Sequence, residues 1–220
     1  MDGEVGGKTV PTVQSQPMSK GERTRNRLLD ATYQAVIRKG FTATSIEELV
    51  EAAGITKSGF FYHFRDKNDL ARQVLDRYQA ENDLFQAGLA ARSRELSDDP
   101  LHAFLIFLKL YAEAMEGLVE HHPGCIVATI TFQDQAFDRD VRQRNADGLI
   151  GWRRLFLPWL QEIAALHPPR ADVDLTALAD GMFCATSAGI VIAKTLDDPK
   201  AISGQVLLYR ESVRMTFASR

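Results

Sequence analysis

Cysteine is scarce in this sequence, and the few candidate metal ligands do not form a recognisable site. The 220 residues include two cysteines, Cys125 and Cys184, too few for a disulfide framework, so a reducing cytoplasm fits. His121, His122 and Cys125 lie close together, but a closed zinc site needs four ligands, usually in paired short spacings. We therefore expect no metal ion and no cofactor.

Long apolar runs and known catalytic motifs are also missing. No uninterrupted apolar stretch approaches the roughly 18 residues of a membrane span. The first 20 residues are polar, which argues against a secretory signal. There is no G-x-S-x-G, H-E-x-x-H, P-loop or G-x-G-x-x-G pattern. These absences predict a cytoplasmic protein without membrane contact that is not an enzyme.

Charge and composition are those of a globular chain with an uneven distribution of basic residues. Hydrophobic residues make up 45% and charged residues 25%, enough for one large or two small domains with a real core. The net charge of -3 argues against a generic polyanion binder. Residues 19–77, however, contain 11 Lys or Arg and only 8 Asp or Glu, so the positive charge concentrates in this part of the sequence.

The stretch from Thr44 to Phe64 predicts two short helices joined by a tight turn. Thr44 and Glu47 have the spacing of a capping box, which would begin the first helix. Gly54 follows the apolar face of that helix, where a residue with positive φ ends it, and Thr56 is a natural N-cap for the second. This pattern is typical of a helix-turn-helix, whose second helix can lie in the DNA major groove.

The residues after the turn resemble a known family. Residues 56–64, TKSGFFYHF, followed by RDKNDL, are similar to the recognition helix and the start of the fourth helix of tetracycline-repressor-type (TetR) regulators. The resemblance covers about Arg23 to Leu75, roughly a quarter of the chain. It implies an all-α protein with a three-helix DNA-binding domain over residues 20–67 and a helical ligand-binding and dimerisation domain over 68–220. Residues 1–19, rich in Gly, Pro, Gln and Ser, predict a disordered arm.

The helix pattern and the resemblance together nominate residues that contact DNA. Lys57, in the first turn of the second helix, can donate to guanine, whereas Ser58 suits either a base or a phosphate. Glu47 either completes the capping box or accepts from a cytosine amino group, and His63 either packs or contacts phosphate. The resemblance places Tyr62, His63 and Lys67 near phosphates and implies that Thr44 and Ser45 contact the DNA backbone. The predicted DNA-contacting residues are Thr44, Ser45, Thr56, Lys57, Ser58, Gly59, Tyr62, His63 and Lys67.

Apolar periodicity predicts the helices of the second domain and an effector cavity between them. Helices are expected over about 67–92, 101–120, 125–131, 139–166, 174–196 and 200–218, after a first helix over 24–39, and Pro158 is expected to kink the long seventh helix. Bundles build ligand sites between facing helices. The predicted site is an apolar cavity with a single phenol as its polar group. Its predicted lining is Phe107, Tyr111, Met115, Cys125, Trp152, Phe156, Trp159 and Phe183. Cys125 is either a small buried thiol or a sensor of oxidants or electrophiles.

The resemblance implies that the last two helices form the dimer surface. Ala185, Ser187, Ala188 and Gly189 supply small residues where another helix can approach, and the alternative is that they pack only within one subunit. The function expected is a ligand-responsive repressor, a homodimer released from operator DNA by a small apolar or aromatic effector. The alternatives are a helical enzyme or carrier of small molecules and a non-specific architectural DNA-binding protein.

Overall fold

The described part of the chain is entirely helical, as predicted. The structure, a computed structural model, describes residues 18–116 and 124–217. The predicted arm up to residue 17, the pair His121 and His122, and the expected end of the last helix at Ala218 lie outside these residues. The helices are α1 (Lys20–Lys39), α2 (Ile46–Ala53), α3 (Lys57–His63), α4 (Lys67–Leu96), α5 (Pro100–Glu116), α6 (Ile126–Phe132), α7 (Arg139–Leu166), α8 (Leu175–Leu196) and α9 (Ala201–Phe217), with a 3₁₀ turn over Asp134–Ala136.

Local capping chemistry explains where α1 begins and ends. Ser19 accepts from the backbone N–H of Glu22, and the Glu22 carboxylate accepts from the N–H of Ser19 at 2.7 Å. This capping box starts α1 four residues before the predicted Thr24. Gly40, with φ of 87°, ends the helix as expected, because an L side chain rarely adopts that backbone conformation.

The second helix begins one residue later than the sequence indicates. The N-cap of α2 is Ser45, whose hydroxyl accepts from the Glu48 N–H at 3.2 Å. The predicted capping box of Thr44 and Glu47 is therefore wrong. Thr44 is 1% exposed and its hydroxyl donates to the Gly40 carbonyl at 2.8 Å, so it holds the turn between α1 and α2.

The long helix α4 connects the three N-terminal helices to the rest of the helical bundle. We call α1–α3 the N-terminal unit and α4–α9 the C-terminal unit. The 30-residue α4 begins shortly after α3 and runs through the C-terminal unit. In that unit α5 packs on α4 and α9, and α8 packs on α7 and α9. The bounds of α7 match the prediction, and Pro158 lies inside it.

The centre of the C-terminal unit is an aromatic core. Phe104, Phe107, Phe156 and Trp159 are 4% exposed or less, and their ring centroids lie 5.0–6.1 Å apart. The Trp159 indole N–H is satisfied by the Pro100 carbonyl at 3.1 Å. Such pairs stabilise a core beyond their buried area. Three residues predicted to line the cavity, Phe107, Phe156 and Trp159, therefore belong to the packed interior instead.

Helix α8 combines a close contact inside the subunit with an exposed apolar face. A Cβ at Gly189 would lie 2.7 Å from Ile202 Cα, so Gly189 permits the crossing of α8 and α9 within one chain. By length and composition alone, Leu175–Leu196 could also cross a membrane. The sequence expectation missed this because it considered uninterrupted apolar runs, whereas α8 contains Asp180 and Lys194. Here α8 packs on α7 and α9 as a bundle helix.

Candidate DNA-contacting surface and effector cavity

Helix α3 is anchored to the protein by a buried aromatic face, and its opposite face is exposed to solvent. Phe60 and Phe64 are 1% exposed or less, with ring centroids 5.6 Å apart. Thr56 caps the helix as predicted, accepting from the Gly59 N–H at 3.2 Å, and its hydroxyl lies 2.9 Å from that of Ser58. Lys57 and Ser58 are exposed at the start of the helix, where side chains of a recognition helix meet base edges.

Lys57 is paired with Glu47 on the preceding helix. Its ammonium donates to the Glu47 carboxylate at 2.6 Å, and this hydrogen bond lowers the pKa of Glu47. The contact with Lys57 explains the position of Glu47 without a capping box and without a contact to a cytosine amino group. Both side chains are more than half exposed, and such exposed ion pairs contribute little, so Lys57 can exchange Glu47 for a base at small cost.

The end of α3 adds an exposed phenol and a half-buried imidazole. Tyr62 is 83% exposed, so its hydroxyl is available to a phosphate. His63 lies between the Tyr62 ring at 5.0 Å and the Phe64 ring at 6.3 Å. It therefore packs on its neighbours while one side stays accessible.

Lys67 is engaged inside the protein. Its ammonium donates to the Phe41 carbonyl at 2.7 Å and lies 4.3 Å from the centroid of the Phe41 ring. Burial lowers the pKa of this lysine. The predicted phosphate contact would have to displace these interactions. With Thr44, whose buried hydroxyl is already bonded, Lys67 holds the turn after α1 rather than offering a free group to DNA.

A cavity of about 310 Å³ lies where the two units meet. Five of the eight predicted residues line it: Tyr111, Met115, Cys125, Trp152 and Phe183. The residues that sequence reasoning missed come mainly from α4 and α8, with one each from α1 and α6. They are Tyr33, Val74, Arg77, Tyr78, Glu81, Asn82, Phe85, Val127, Thr186, Ser187 and Ile190.

Three phenols, rather than the predicted one, face this cavity. Tyr33 of α1 stacks on Tyr78 of α4 with centroids 5.9 Å apart, and Tyr111 lies on α5. Burial raises the pKa of Tyr33 and of Tyr111 to about 12, so these phenols are neutral near pH 7. The spacing of Tyr33 and Tyr78 within their helices is that of ordinary core residues, so the sequence carried no signal for their role.

The charged groups at the cavity wall neutralise one another. Arg77 pairs with Asp30 of α1 and, at 3.3 Å, with Glu81 one turn along α4. Ser187 was expected on the dimer surface, but it lines the cavity, where its buried hydroxyl lies beside the Cys125 thiol and has no other hydrogen-bond partner within the described segments. The cavity therefore offers hydroxyl groups without an unpaired charge.

Cys125 lies at the N-terminal end of α6, against the cavity. Burial raises the pKa of its thiol above the ordinary value, which makes the reactive thiolate rarer near neutral pH. Cys184 is exposed on α8. The position of Cys125 is suited to a ligand contact and unfavourable for rapid thiol chemistry.

This difference predicts the order in which the cysteines react. In the monomeric chain at pH 7, N-ethylmaleimide should modify Cys184 faster than Cys125, because Cys184 is exposed in the subunit, whereas burial restricts access to Cys125 and raises the pKa of its thiol. The Cys125 rate should keep rising as pH passes the ordinary thiol pKa. Mass spectrometry of the chain and of a Cys184→Ser variant measures both rates. Equal rates would favour Cys125 as a direct sensor.

Comparisons with known proteins agree with this arrangement. Residues 28–74 match the family described as bacterial regulatory proteins, tetR family. The transcriptional regulator AcuR of Cereibacter sphaeroides is 26% identical over 84% of this chain and 86% of its own. The HTH-type transcriptional repressor KstR2 of Mycolicibacterium smegmatis is 24% identical over 76% of this chain and 75% of its own.

A solved structure has the same fold as this chain. The crystal structure of a TetR-family transcriptional regulator from Agrobacterium tumefaciens superposes with a TM-score of 0.74, at 19% identity, over 90% of this chain and all of that one. An N-terminal helix-turn-helix and a C-terminal helical unit are common to both. The similar proteins are transcription regulators rather than enzymes.

Proposed function

Because this chain belongs to the TetR family of transcriptional regulators, we propose that it is a cytoplasmic repressor that leaves its operator when a small effector fills the cavity. One observation carries this proposal. The cavity wall combines Tyr33 of the N-terminal unit with residues of α4 to α8, so a ligand inside touches both units. That a similar protein is named a repressor favours repression over activation.

The lining indicates the class of effector. Aromatic rings from Phe85, Trp152 and Phe183 suit an apolar or aromatic body. Within residues 18–116 and 124–217 the hydroxyls of Tyr33 and Tyr78 make no hydrogen bond, so they and Ser187 can bind polar groups of a ligand. Since Arg77 is already neutralised by two carboxylates, we propose a neutral aromatic compound with hydrogen-bonding oxygens.

The proposed division of labour follows the two units. Residues 20–67 contact DNA through α3, with its exposed Lys57, Ser58 and Tyr62 and its half-buried His63, and residues 68–220 bind effector and dimerise. An effector can release DNA only if it binds the DNA-incompetent state more tightly. The two ligands must then weaken each other by the same factor.

The outer faces of α8 and α9 are the proposed dimer surface. Cys184, Ala188 and Val191 on α8 are exposed, as are Leu208 and Met215 on α9. Each set recurs at helical spacing, and an exposed apolar face of this kind is typical of an interface. Gly189, by contrast, serves the contact between α8 and α9 inside one subunit.

We expect Ala188→Arg to convert a dimer into monomers that still fold. Ala188 is exposed, so arginine fits the subunit but places a charge and a long side chain where the partner helix would lie. Light scattering at micromolar concentration measures the mass of the particle. The control is Leu84→Arg at an exposed position of α4, which should stay dimeric. If Ala188→Arg remains a dimer, the interface lies elsewhere.

Selection of bound fragments from random duplex DNA is the first test of the function. A repressor should enrich a symmetric sequence with two half-sites, whereas an architectural protein should show no preference at physiological salt. A panel of neutral phenolic and quinoid compounds is then screened for quenching of Trp152. The proposal requires that a bound compound and the selected fragment weaken each other equally. Turnover of the compound would favour the enzyme alternative.

A further inference from the structure

Helix α6 contacts the N-terminal unit at both of its ends. At its start, a Cβ on Gly124 would lie 2.8 Å from the Ile37 carbonyl, so the chain passes directly against the last turns of α1. At its end, Gln133 reaches the turn that follows α1. Between these points Val127 lines the cavity, as does Cys125 before it. One short helix therefore joins the cavity wall to the end of α1.

Gln133 makes the most specific of these contacts. Its Oε1 accepts from the backbone N–H of Phe41 at 2.9 Å, the N–H of Thr42 at 3.2 Å and the Thr42 hydroxyl at 3.3 Å. The side chain also fills the space beside Gly40, where an added Cβ would lie 2.3 Å from Nε2. A single oxygen thus satisfies two successive backbone donors of a turn that has no regular helical partner for them.

The turn from Gly40 to Thr44 is held from other sides as well. Lys67 donates to the Phe41 carbonyl at 2.7 Å, and the Phe137 ring lies 4.5 Å from the Phe41 ring. Asp138, the N-cap of α7, pairs with Arg72 of α4 at 2.7 Å. Lys67 and Arg72 belong to α4, and Phe137 precedes α7. Gln133 is therefore the contact by which α6 itself holds the turn.

We propose that Gln133 is a positioning residue that makes the orientation of α2 and α3 depend on the state of the cavity. Displacement of α6 by a ligand against Cys125 and Val127 moves the Gln133 acceptor away from the turn. The turn then loses its partner for two N–H groups, and the recognition helix loses its fixed orientation. This role rests on the proposed function, because it presupposes that cavity and DNA surface are linked.

Three substitutions separate the acceptor from the bulk of the side chain. Gln133→Met keeps the length and removes the acceptor. Gln133→Glu keeps the acceptor, and it sacrifices no bond in the described segments, where Nε2 donates to nothing. Gln133→Asn keeps the amide but withdraws it by one methylene, and it provides a second test if the Met variant does not fold.

The experiment reads the cavity while DNA occupies the other site. The DNA is the fragment recovered by selection, and the readout is Trp152 emission, with Trp152→Phe showing that the signal comes from the cavity. In the unmodified protein, saturating DNA should change the emission. We expect Gln133→Met and Gln133→Asn to bind about tenfold more weakly and, even at saturation, to show less than half of that change. Gln133→Glu should keep most of the change.

The outcomes separate the two proposals. A purely structural Gln133 would lower thermal stability in the Met and Asn variants but leave the emission change at saturating DNA intact, and that result would overturn the positioning role. Loss of the change in Gln133→Glu as well would also overturn it, because the acceptor would then not matter. If the unmodified protein shows no emission change, the link between cavity and DNA fails, and the proposed function fails with it.

Discussion

Replacing Phe107 with alanine should lower the free energy of unfolding by about 3–5 kcal/mol. The side chain is fully buried, and its ring contacts Phe104, Phe156 and Trp159 at centroid distances of 6.1, 5.5 and 5.6 Å. The close packing around it cannot collapse into the space left by the ring. For a chain of this size the midpoint of thermal unfolding should fall by roughly 6–20 °C. The sequence pattern, by contrast, places Phe107 in the lining of the effector cavity.

Phe183 provides the matched control for that substitution. It is half-buried, lines the cavity and contacts the Trp152 ring at 5.8 Å. Phe183→Ala should cost clearly less stability, because its ring already borders open space, and should instead weaken effector binding. Urea denaturation followed by circular dichroism at fixed protein concentration compares the two. If Phe107→Ala is as stable as Phe183→Ala, then Phe107 is not the core residue described above.

Lys57→Ala should weaken binding to the operator by about 1–3 kcal/mol per half-site and relax the preference at one base pair in each. Lys57 stands at the start of the recognition helix, with its ammonium held by Glu47 in the free protein. A dimer uses two copies, so the two losses add. Binding assays with the selected fragment and with single-base variants measure both the affinity and the preference.

Glu47→Ala is the complementary variant. It frees Lys57 and removes a negative charge from the proposed DNA-contacting surface, so binding to all sequences should strengthen, most visibly at low salt. Lys67→Ala separates a DNA contact from a structural one. Because Lys67 is bonded to the Phe41 carbonyl, we expect lower thermal stability with an unchanged salt dependence. If Lys57→Ala leaves affinity and preference unchanged, base reading lies with other residues.

Short-range patterns in the sequence were sufficient to predict the helices and a regulator with a helix-turn-helix. Gly54 adopts the left-handed conformation that ends α2, Thr56 caps α3, and α7 has the predicted bounds, because each depends on neighbours a few residues away. The error at α2 is also local. Thr44 and Ser45 both carry a hydroxyl with a glutamate three residues later, and only the contact of Thr44 with Gly40 decides between them.

Tertiary structure decided which side chains are available and to what. Periodicity places Phe107 and Tyr111 on one face of α5, yet only Tyr111 reaches the cavity, because the helices packed around α5 cover the other ring. Tyr33 meets Tyr78 from a helix 45 residues away, and Gln133 reaches Phe41 across 92 positions. Spacing along one helix determines a face, whereas the partner of that face depends on how separate helices cross, which no local pattern in the chain records.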